Sequence, residues 1–363
     1  MTAEVLIFLF HVSAKNKVMT DRRKFIKNIS AAGLLGAIPH KLLAQFDNIF
    51  SRQPVPDNKI WGCLLHLSYN FWVEYSSPSP FRGYRPYLQM SESLWNDATE
   101  KMSREGLNMV VIDLGDGVKY ESHPEIAVNN AWTTTRLRKE LDRLRKLGLE
   151  PIPKLNFAAG HDIWLGKYSR MVSTEKYYEV CSDLIKEVSD LFDKPRLFHL
   201  GMDEENAEDQ RYLDYVVIRQ NDLWWHDLYF LIDQVEKAGS RSWIWSDYLW
   251  HQRDAFLKKM PKSVMQSNWY YEEEFDEAKT PVKAYLDLEK YGYDQIPTGG
   301  YYKTDKNVLN FNNTVQFCKK NIASPRLHGF LQTLWAPTIE ENRTNILKAI
   351  ELVGDAKRIF DKG

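Results

Sequence analysis

The sequence predicts an α/β chain of the TIM, or (β/α)8, barrel class, and three observations carry that prediction. The first is alternation: from Lys59 onward, short apolar runs rich in β-branched and aromatic residues take turns with longer stretches of helical period. The second is number, because eight such runs within roughly 300 residues suit a closed barrel better than an open sheet. The third is continuity. No long Gly, Ser or Pro linker breaks the series, so one domain is expected over residues 46–363.

Ahead of the barrel, residues 20–27 read Thr-Asp-Arg-Arg-Lys-Phe-Ile-Lys and precede an apolar stretch over 29–38 that Gly33 and Gly36 interrupt. That stretch is too short to span a bilayer. Paired arginines before a modest apolar segment resemble a twin-arginine export signal. Residues 1–45 are therefore read as a leader, with Met19 as the expected start and Ala44 as the expected cleavage point. Export to a bacterial periplasm or cell surface is the corresponding expectation, with no membrane span in the mature chain.

The eight runs fall at residues 60–67, 109–114, 150–155, 197–201, 242–246, 263–267, 295–299 and 329–334, each read as a strand. Between them lie amphipathic segments. Over 135–147, Leu137, Leu141, Leu144 and Leu147 form one stripe among Arg, Lys and Glu. Over 174–191, Tyr177, Val180, Leu184 and Val188 do the same.

Charge and composition narrow the function. Across 363 residues, 48 Lys and Arg against 49 Asp and Glu leave a formal charge of −1, so no basic field exists to hold a nucleic acid. Cys63, Cys181 and Cys318 stand far apart without a C-x-x-C pair, which argues against a zinc ribbon or a disulfide framework and for buried small hydrophobes. The nine histidines include no H-E-x-x-H, and no phosphate-cradling glycine motif follows a strand; Gly115-Asp116-Gly117 is too short to be one. Neither metal nor cofactor is expected. The 12 Trp, 19 Tyr and 17 Phe suit either an aromatic-rich core or a cleft that stacks on sugar rings.

Barrel chemistry sits at the C-terminal strand ends. Here these ends carry Tyr69-Asn70-Phe71-Trp72, Asp116, Asn156 to His161, His199 to Glu205, Trp245-Ser246-Asp247, Asn268-Trp269-Tyr270, Tyr301-Tyr302 and Trp335. The sharpest is His199-Leu200-Gly201-Met202-Asp203-Glu204-Glu205. Strand alternation puts His199, Gly201 and Asp203 on one face, and Glu204 reaches the same cleft where the strand turns into its loop. Adjacent carboxylates repel, which keeps one protonated and the other ionised, an acid beside an electrostatic stabiliser. Glycoside cleavage needs that pair.

The run His199-Leu200-Gly201-Met202-Asp203-Glu204 resembles the His-Ile/Leu-Gly-Gly-Asp-Glu of glycoside hydrolase family 20, the β-N-acetylhexosaminidases. The resemblance covers nearly all of the barrel. Ile152-Pro153-Lys154-Leu155-Asn156 with Gly160-His161 is similar to the family's third strand, and Asp116 stands at its second-strand Asp. Trp245-Ser246-Asp247, Gln266 to Trp269, Tyr301-Tyr302 and Gly329 to Trp335 match strands five to eight. The resemblance implies substrate-assisted, retaining, exo-acting hydrolysis, with the sugar's own acetamide oxygen as nucleophile. Glu204 would be the acid and base, and Asp203 would orient the acetamide and offset the charge that develops on it. Tyr302, or else Tyr301, would donate to the acetamide oxygen. His161 would tune the acid, and Trp245, Trp269 and Trp335 would wall the pocket, with Tyr69, Asp116, His199 and Asp247 as further substrate-binding candidates.

The departures concern recognition. Tyr69 stands where the family has a hydroxyl-clamping Arg, Asn156 where it has an Asp, Met202 at the second Gly, and Pro337 at a hydroxyl-holding Glu, with Glu340 and Glu341 further on. The family's separate domain before the barrel has no counterpart between leader and first strand. Altered sugar preference is the inference from these changes. Two alternatives stay open: an exported carbohydrate-binding barrel without turnover, and a glycosidase in which Asp203 or Glu205 attacks directly. A carbohydrate is the expected partner in each.

Overall fold

The computed structural model describes residues 58–72, 83–211, 213, 216–301 and 307–362; the leader and Tyr302 lie outside them. The barrel strands are β1 (Ile60–His66), β2 (Met109–Asp113), β5 (Glu150–Lys154), β6 (Leu197–His199), β7 (Arg241–Trp245), β8 (Met265–Ser267), β9 (Thr298–Gly300) and β10 (Gly329–Thr333). A short parallel pair, β3 (Val118–Lys119) and β4 (Trp132–Thr133), stands apart in the excursion after β2. All eight barrel strands are parallel in the order β8-β7-β6-β5-β2-β1-β10-β9. Isolated bridges Gln266 to Gln295 and Trp269 to Thr298 tie β8 towards β9, so the sheet curls into a TIM barrel.

Every predicted run contains a strand. The seventh starts three residues late, at Thr298, because Pro297 has no N–H to add to a ladder. The helices alternate with the strands: α1 (Glu92–Arg104), α2 (Thr134–Lys146), α3 (Glu175–Leu191), α4 (Asn221–Lys237), α5 (Tyr248–His251), α6 (Arg253–Lys259), α7 (Thr280–Lys290), α8 (Asn310–Asn321) and α9 (Arg343–Lys362). Ser91, Thr133 and Thr174 cap the first three, each hydroxyl accepting a free first-turn N–H. The predicted stripes face inward: Leu137, Leu141 and Leu144 of α2 and Tyr177, Val180, Leu184 and Val188 of α3 are buried. No helix among the described residues is long and apolar enough to cross a membrane.

Strand alternation splits the core in two. One face of each strand packs outward on the helices, and all three cysteines are buried in that layer. The other face fills the lumen with Ile60, Leu64, Met109, Val111, Ile152, Leu197, Trp243, Met265 and Leu331. Above these apolar layers, the register aligns His66, Asp113, Lys154 and His199 across β1, β2, β5 and β6. That polar tier is the floor beneath the strand ends.

Candidate active site

Just past β6 the backbone turns sharply. Gly201, Met202 and Glu204 all take positive φ, at 72°, 73° and 57°. Glycine is required at 201, because a Cβ there would lie 2.0 Å from Asn156 Oδ1. Met202 accepts the left-handed conformation that suits glycine better, and its side chain is buried in the outer core with Sδ 3.8 Å from Arg219. The turn brings Asp203 and Glu204 to the same imidazole, His161, and sends Glu205 to Arg219.

His161 lies between the two carboxylates, Nδ1 3.5 Å from Asp203 Oδ1 and Nε2 3.1 Å from Glu204 Oε2. Burial opposes the imidazolium, but Asp203 and Glu204 outweigh it and raise His161 to about 10. Burial likewise disfavours ionised Asp203, yet His161, Lys154 and the Asn156 amide, which donates to Oδ1 at 2.9 Å, hold its carboxyl below the usual range. Asp247 is driven the opposite way by burial and by Asp203, far above the carboxylate range. Its Oδ2 accepts the Glu204 N–H at 2.8 Å, and its Oδ1 lies 3.4 Å from the Trp269 indole nitrogen. Around Glu204, whose side chain is 30% exposed, the surroundings thus favour the charged forms of Asp203 and His161 and the neutral form of Asp247.

Aromatic residues wall this group. Trp72 stands edge-on to His161 at 5.3 Å, Trp335 meets Trp245 at 5.9 Å, and Trp269 stacks on Tyr271 at 5.0 Å. The Tyr271 hydroxyl accepts from the Trp335 indole at 2.8 Å, which fixes that ring. Asp116 lies to one side, buried, accepting from Ser68 Oγ at 2.5 Å and Asn70 Nδ2 at 2.9 Å; burial pushes its carboxyl up to about 7 against both.

Some candidates sit elsewhere. Tyr301 packs in the outer core within electrostatic reach of Lys348 on α9, because alternation turns it away from the lumen. His199 is fully buried in the floor, its Nδ1 accepting the Gly201 N–H at 3.0 Å, so it supports the turn from beneath. Tyr69 donates its hydroxyl to the Trp335 carbonyl at 2.7 Å. Glu340 is engaged with Ser91 and Arg343 at the surface.

Glu205 is not available as a nucleophile. Its side chain is 1% exposed, and it is paired with Arg219, with Nε 3.0 Å from Oε2. Arg219 reaches on to Asp227 at 3.1 Å and to the Phe157 carbonyl at 2.7 Å, while Glu205 Oε1 accepts the Ala159 N–H at 2.9 Å. This dry network pins the loop that carries His161.

Sequence reasoning placed Trp72 at the first strand end without giving it a role, and it gave none to Lys154 or Tyr271. Lys154 had a signal, a charge inside the apolar run Pro151-Ile152-Pro153-Lys154-Leu155. Tyr271 had a weaker one, its place two residues beyond Trp269 on the same strand extension. Donor atoms of His161, Asp203 and Glu204 lie within 4.8 Å of one another, close enough for a divalent cation. A cation there would have to displace the proton that the two carboxylates favour on His161.

The family model for glycosyl hydrolase family 20, catalytic domain, matches residues 161–348. No curated protein matches the chain. Among solved structures it is similar to a β-N-acetylhexosaminidase from Bacteroides fragilis (TM-score 0.54, 13% identity, covering 81% of this chain and 65% of that one). It is also similar to an exo-β-N-acetylglucosaminidase from Vibrio harveyi in complex with N-acetylglucosamine (0.55, 14%, 84% and 56%). A third is a mutant β-hexosaminidase from Streptomyces plicatus in complex with its product (0.54, 14%, 82% and 64%). The chain thus spans between 56% and 65% of the length of these proteins, and at such identity the likeness is one of fold.

Proposed function

The chain belongs to glycosyl hydrolase family 20, and from that membership we propose that it is a glycoside hydrolase acting by the substrate-assisted, retaining route on the non-reducing end of a glycan. The observation that carries this reading is His161 bridging Asp203 and Glu204, with Trp72 edge-on to the imidazole and the Trp269 indole on Asp247. In the proposed sequence Glu204 protonates the departing glycosidic oxygen while the substrate's 2-acetamido oxygen closes on the anomeric carbon. Glu204 then takes a proton from the water that opens the oxazolinium ring. Asp203, ionised, accepts the acetamide N–H and offsets the positive charge that grows on that ring, an interaction stronger in the transition state than in the ground state. His161 carries a positive charge between the two carboxylates and limits their mutual repulsion. Tyr302 is the proposed donor to the acetamide oxygen.

Sugar preference is proposed to differ from that of the family's simple N-acetylhexosamine substrates. Tyr69 lacks a charged fork and its hydroxyl is engaged by the Trp335 carbonyl, while Glu340, the nearest carboxylate after Pro337, is engaged with Ser91 and Arg343. A sugar with a modified outer hydroxyl fits that combination. Export through a twin-arginine signal at Arg22-Arg23, to the periplasm or cell surface, completes the proposal.

The test is aryl-glycoside release by protein beginning near Gln45, with β-GlcNAc, β-GalNAc and the matching non-acetylated sugars in parallel. Release from N-acetyl substrates only, lost in Glu204→Gln and blocked by a thiazoline mimic, is the expected outcome. Binding of the same sugars by calorimetry without any release would overturn the hydrolase in favour of a carbohydrate-binding barrel.

A further inference from the structure

Around β9 the barrel mouth is short of side chains. Alternation puts Ile296, Thr298 and Gly300 on the lumen face, and Ile296 is buried in the lumen core. That face therefore ends on a glycine, between Trp269 beyond β8 and Trp335 beyond β10, both of which pack on the lumen core. Tyr271 fills the gap. A Cβ at Gly300 would lie 2.6 Å from its ring, and the ring stacks on Trp269 at 5.0 Å with planes 22° apart. Its hydroxyl accepts from the Trp335 indole at 2.8 Å, and Thr333 Oγ1 lies 3.2 Å from the same oxygen. The backbone on either side of Tyr271 is tied down. Asn310, fully buried at the start of α8, donates its amide to the carbonyls of Tyr270 at 2.9 Å and Glu272 at 2.6 Å, and its Oδ1 accepts the Gly300 N–H at 2.9 Å. One buried amide thus fastens the segment that carries the ring to the strand end that the ring covers.

We propose that Tyr271, strapped over Gly300 by Asn310, is a specificity-determining residue whose ring closes the space between Trp269 and Trp335 and limits the sugar's 2-acylamino group to acetyl. The inference rests on the substrate-assisted reading, in which the acetamide N–H meets Asp203 and the acyl methyl, its one apolar end, takes the aromatic wall. Direct contacts lead from that carboxylate's chain neighbour to the ring. Asp247 Oδ2 accepts the Glu204 N–H at 2.8 Å, Asp247 Oδ1 lies 3.4 Å from the Trp269 indole nitrogen, and Trp269 carries Tyr271 on its face. On the far side, Trp335 holds the hydroxyl and meets Trp245 at 5.9 Å. A ring held on one face, at its hydroxyl and through the backbone on both sides yields little, so each methylene added to the acyl chain meets a wall that cannot retreat.

The experiment measures kcat/KM on aryl β-GlcNAc and β-GalNAc and on their N-propanoyl and N-butanoyl counterparts, for the full chain as wild type, Tyr271→Phe, Tyr271→Leu and Tyr271→Ala. Wild type and Tyr271→Phe, which keeps the ring, are expected to favour acetyl over butanoyl by about a hundredfold, and Tyr271→Ala to cut that ratio by about tenfold or more. A merely structural loss lowers all three substrates together and leaves the ratio where it was. Where Tyr271→Ala does not fold, Tyr271→Leu, which keeps an apolar contact with Trp269 and gives up the outer half of the ring, carries the same comparison. A wild type that cleaves all three alike, or an unchanged ratio in the folded smaller variant, overturns the inference and leaves the hydrolase standing. If no glycoside is cleaved, the hydrolase falls and the affinities of the free N-acyl sugars by calorimetry decide. A preference for acetyl that narrows by the same factor in the smaller variant supports the inference; an unchanged preference, or no binding at all, overturns it.

Discussion

Glu204 and Glu205 are adjacent in the chain and opposite in environment. Glu204 is 30% exposed, and its partner is an imidazole that can give or take a proton. Glu205 is 1% exposed, and its partner is a guanidinium that never loses its charge. The difference teaches what makes a carboxylate reactive: a titratable partner and room for a second molecule, neither of which the residue type supplies. It also shows cooperation, because Glu205 and Arg219 hold the 157–159 backbone from which His161 reaches its two carboxylates.

The comparison is broken most decisively by exchanging the two acids' amides. Glu204→Gln is expected to lower kcat by about a thousandfold in a protein that still folds, since it removes a proton donor and leaves an amide of the same shape beside His161. Equal turnover in Glu204→Gln and wild type would end its role. On the other side, Arg219→Met leaves Glu205 and Asp227 buried without a counter-charge, and a loss of about 3–5 kcal/mol is expected from urea unfolding. A loss under ~1 kcal/mol would mean that the network is not what holds the loop.

His161 sharpens the boundary between the regions. Its protonation is favoured in the folded state up to about 10, against 6.5 unperturbed. The stability this contributes is complete below about 6.5 and is lost as pH rises towards 10. The melting-temperature gap between wild type and His161→Gln should therefore narrow across that window; a gap constant with pH would show that the imidazole is neutral. The smallest effect is expected of Asn156→Asp, which replaces a donor 2.9 Å from Asp203 with a second carboxylate. The acid limb of kcat/KM should move up by about one pH unit, with a matching stability loss of about 1.4 kcal/mol at neutral pH; a limb that stays in place would mean that Asn156 does not contribute to the charge of Asp203.

Much of this was legible in the chain. Hydrophobic period located all eight strands and the α2 and α3 stripes, because burial of one face leaves a repeat of two or 3.6 residues that any single sequence carries. The strand-end position of Asp203, Glu204 and His161 was legible for the same reason. The fate of Tyr301 was not, since one step of the pleat separates lumen from outer layer, and apolar or aromatic residues are common to both.

Sequence alone determined the barrel class, the places of its eight strands and the set of strand-end groups from which a site is made. Tertiary structure alone decided the separate environments of the three consecutive acids, for these depend on the positive φ at Gly201, Met202 and Glu204 and on the arrival of His161 and Arg219 from distant loops. It also decided that Lys154, an anomaly in an apolar run, is buried against Asp113 inside the barrel rather than among the helices. The physical reason is range. Local period records which face of an element is dry, whereas a carboxylate's charge and access are set by groups that fold to within a few ångströms from anywhere in the chain.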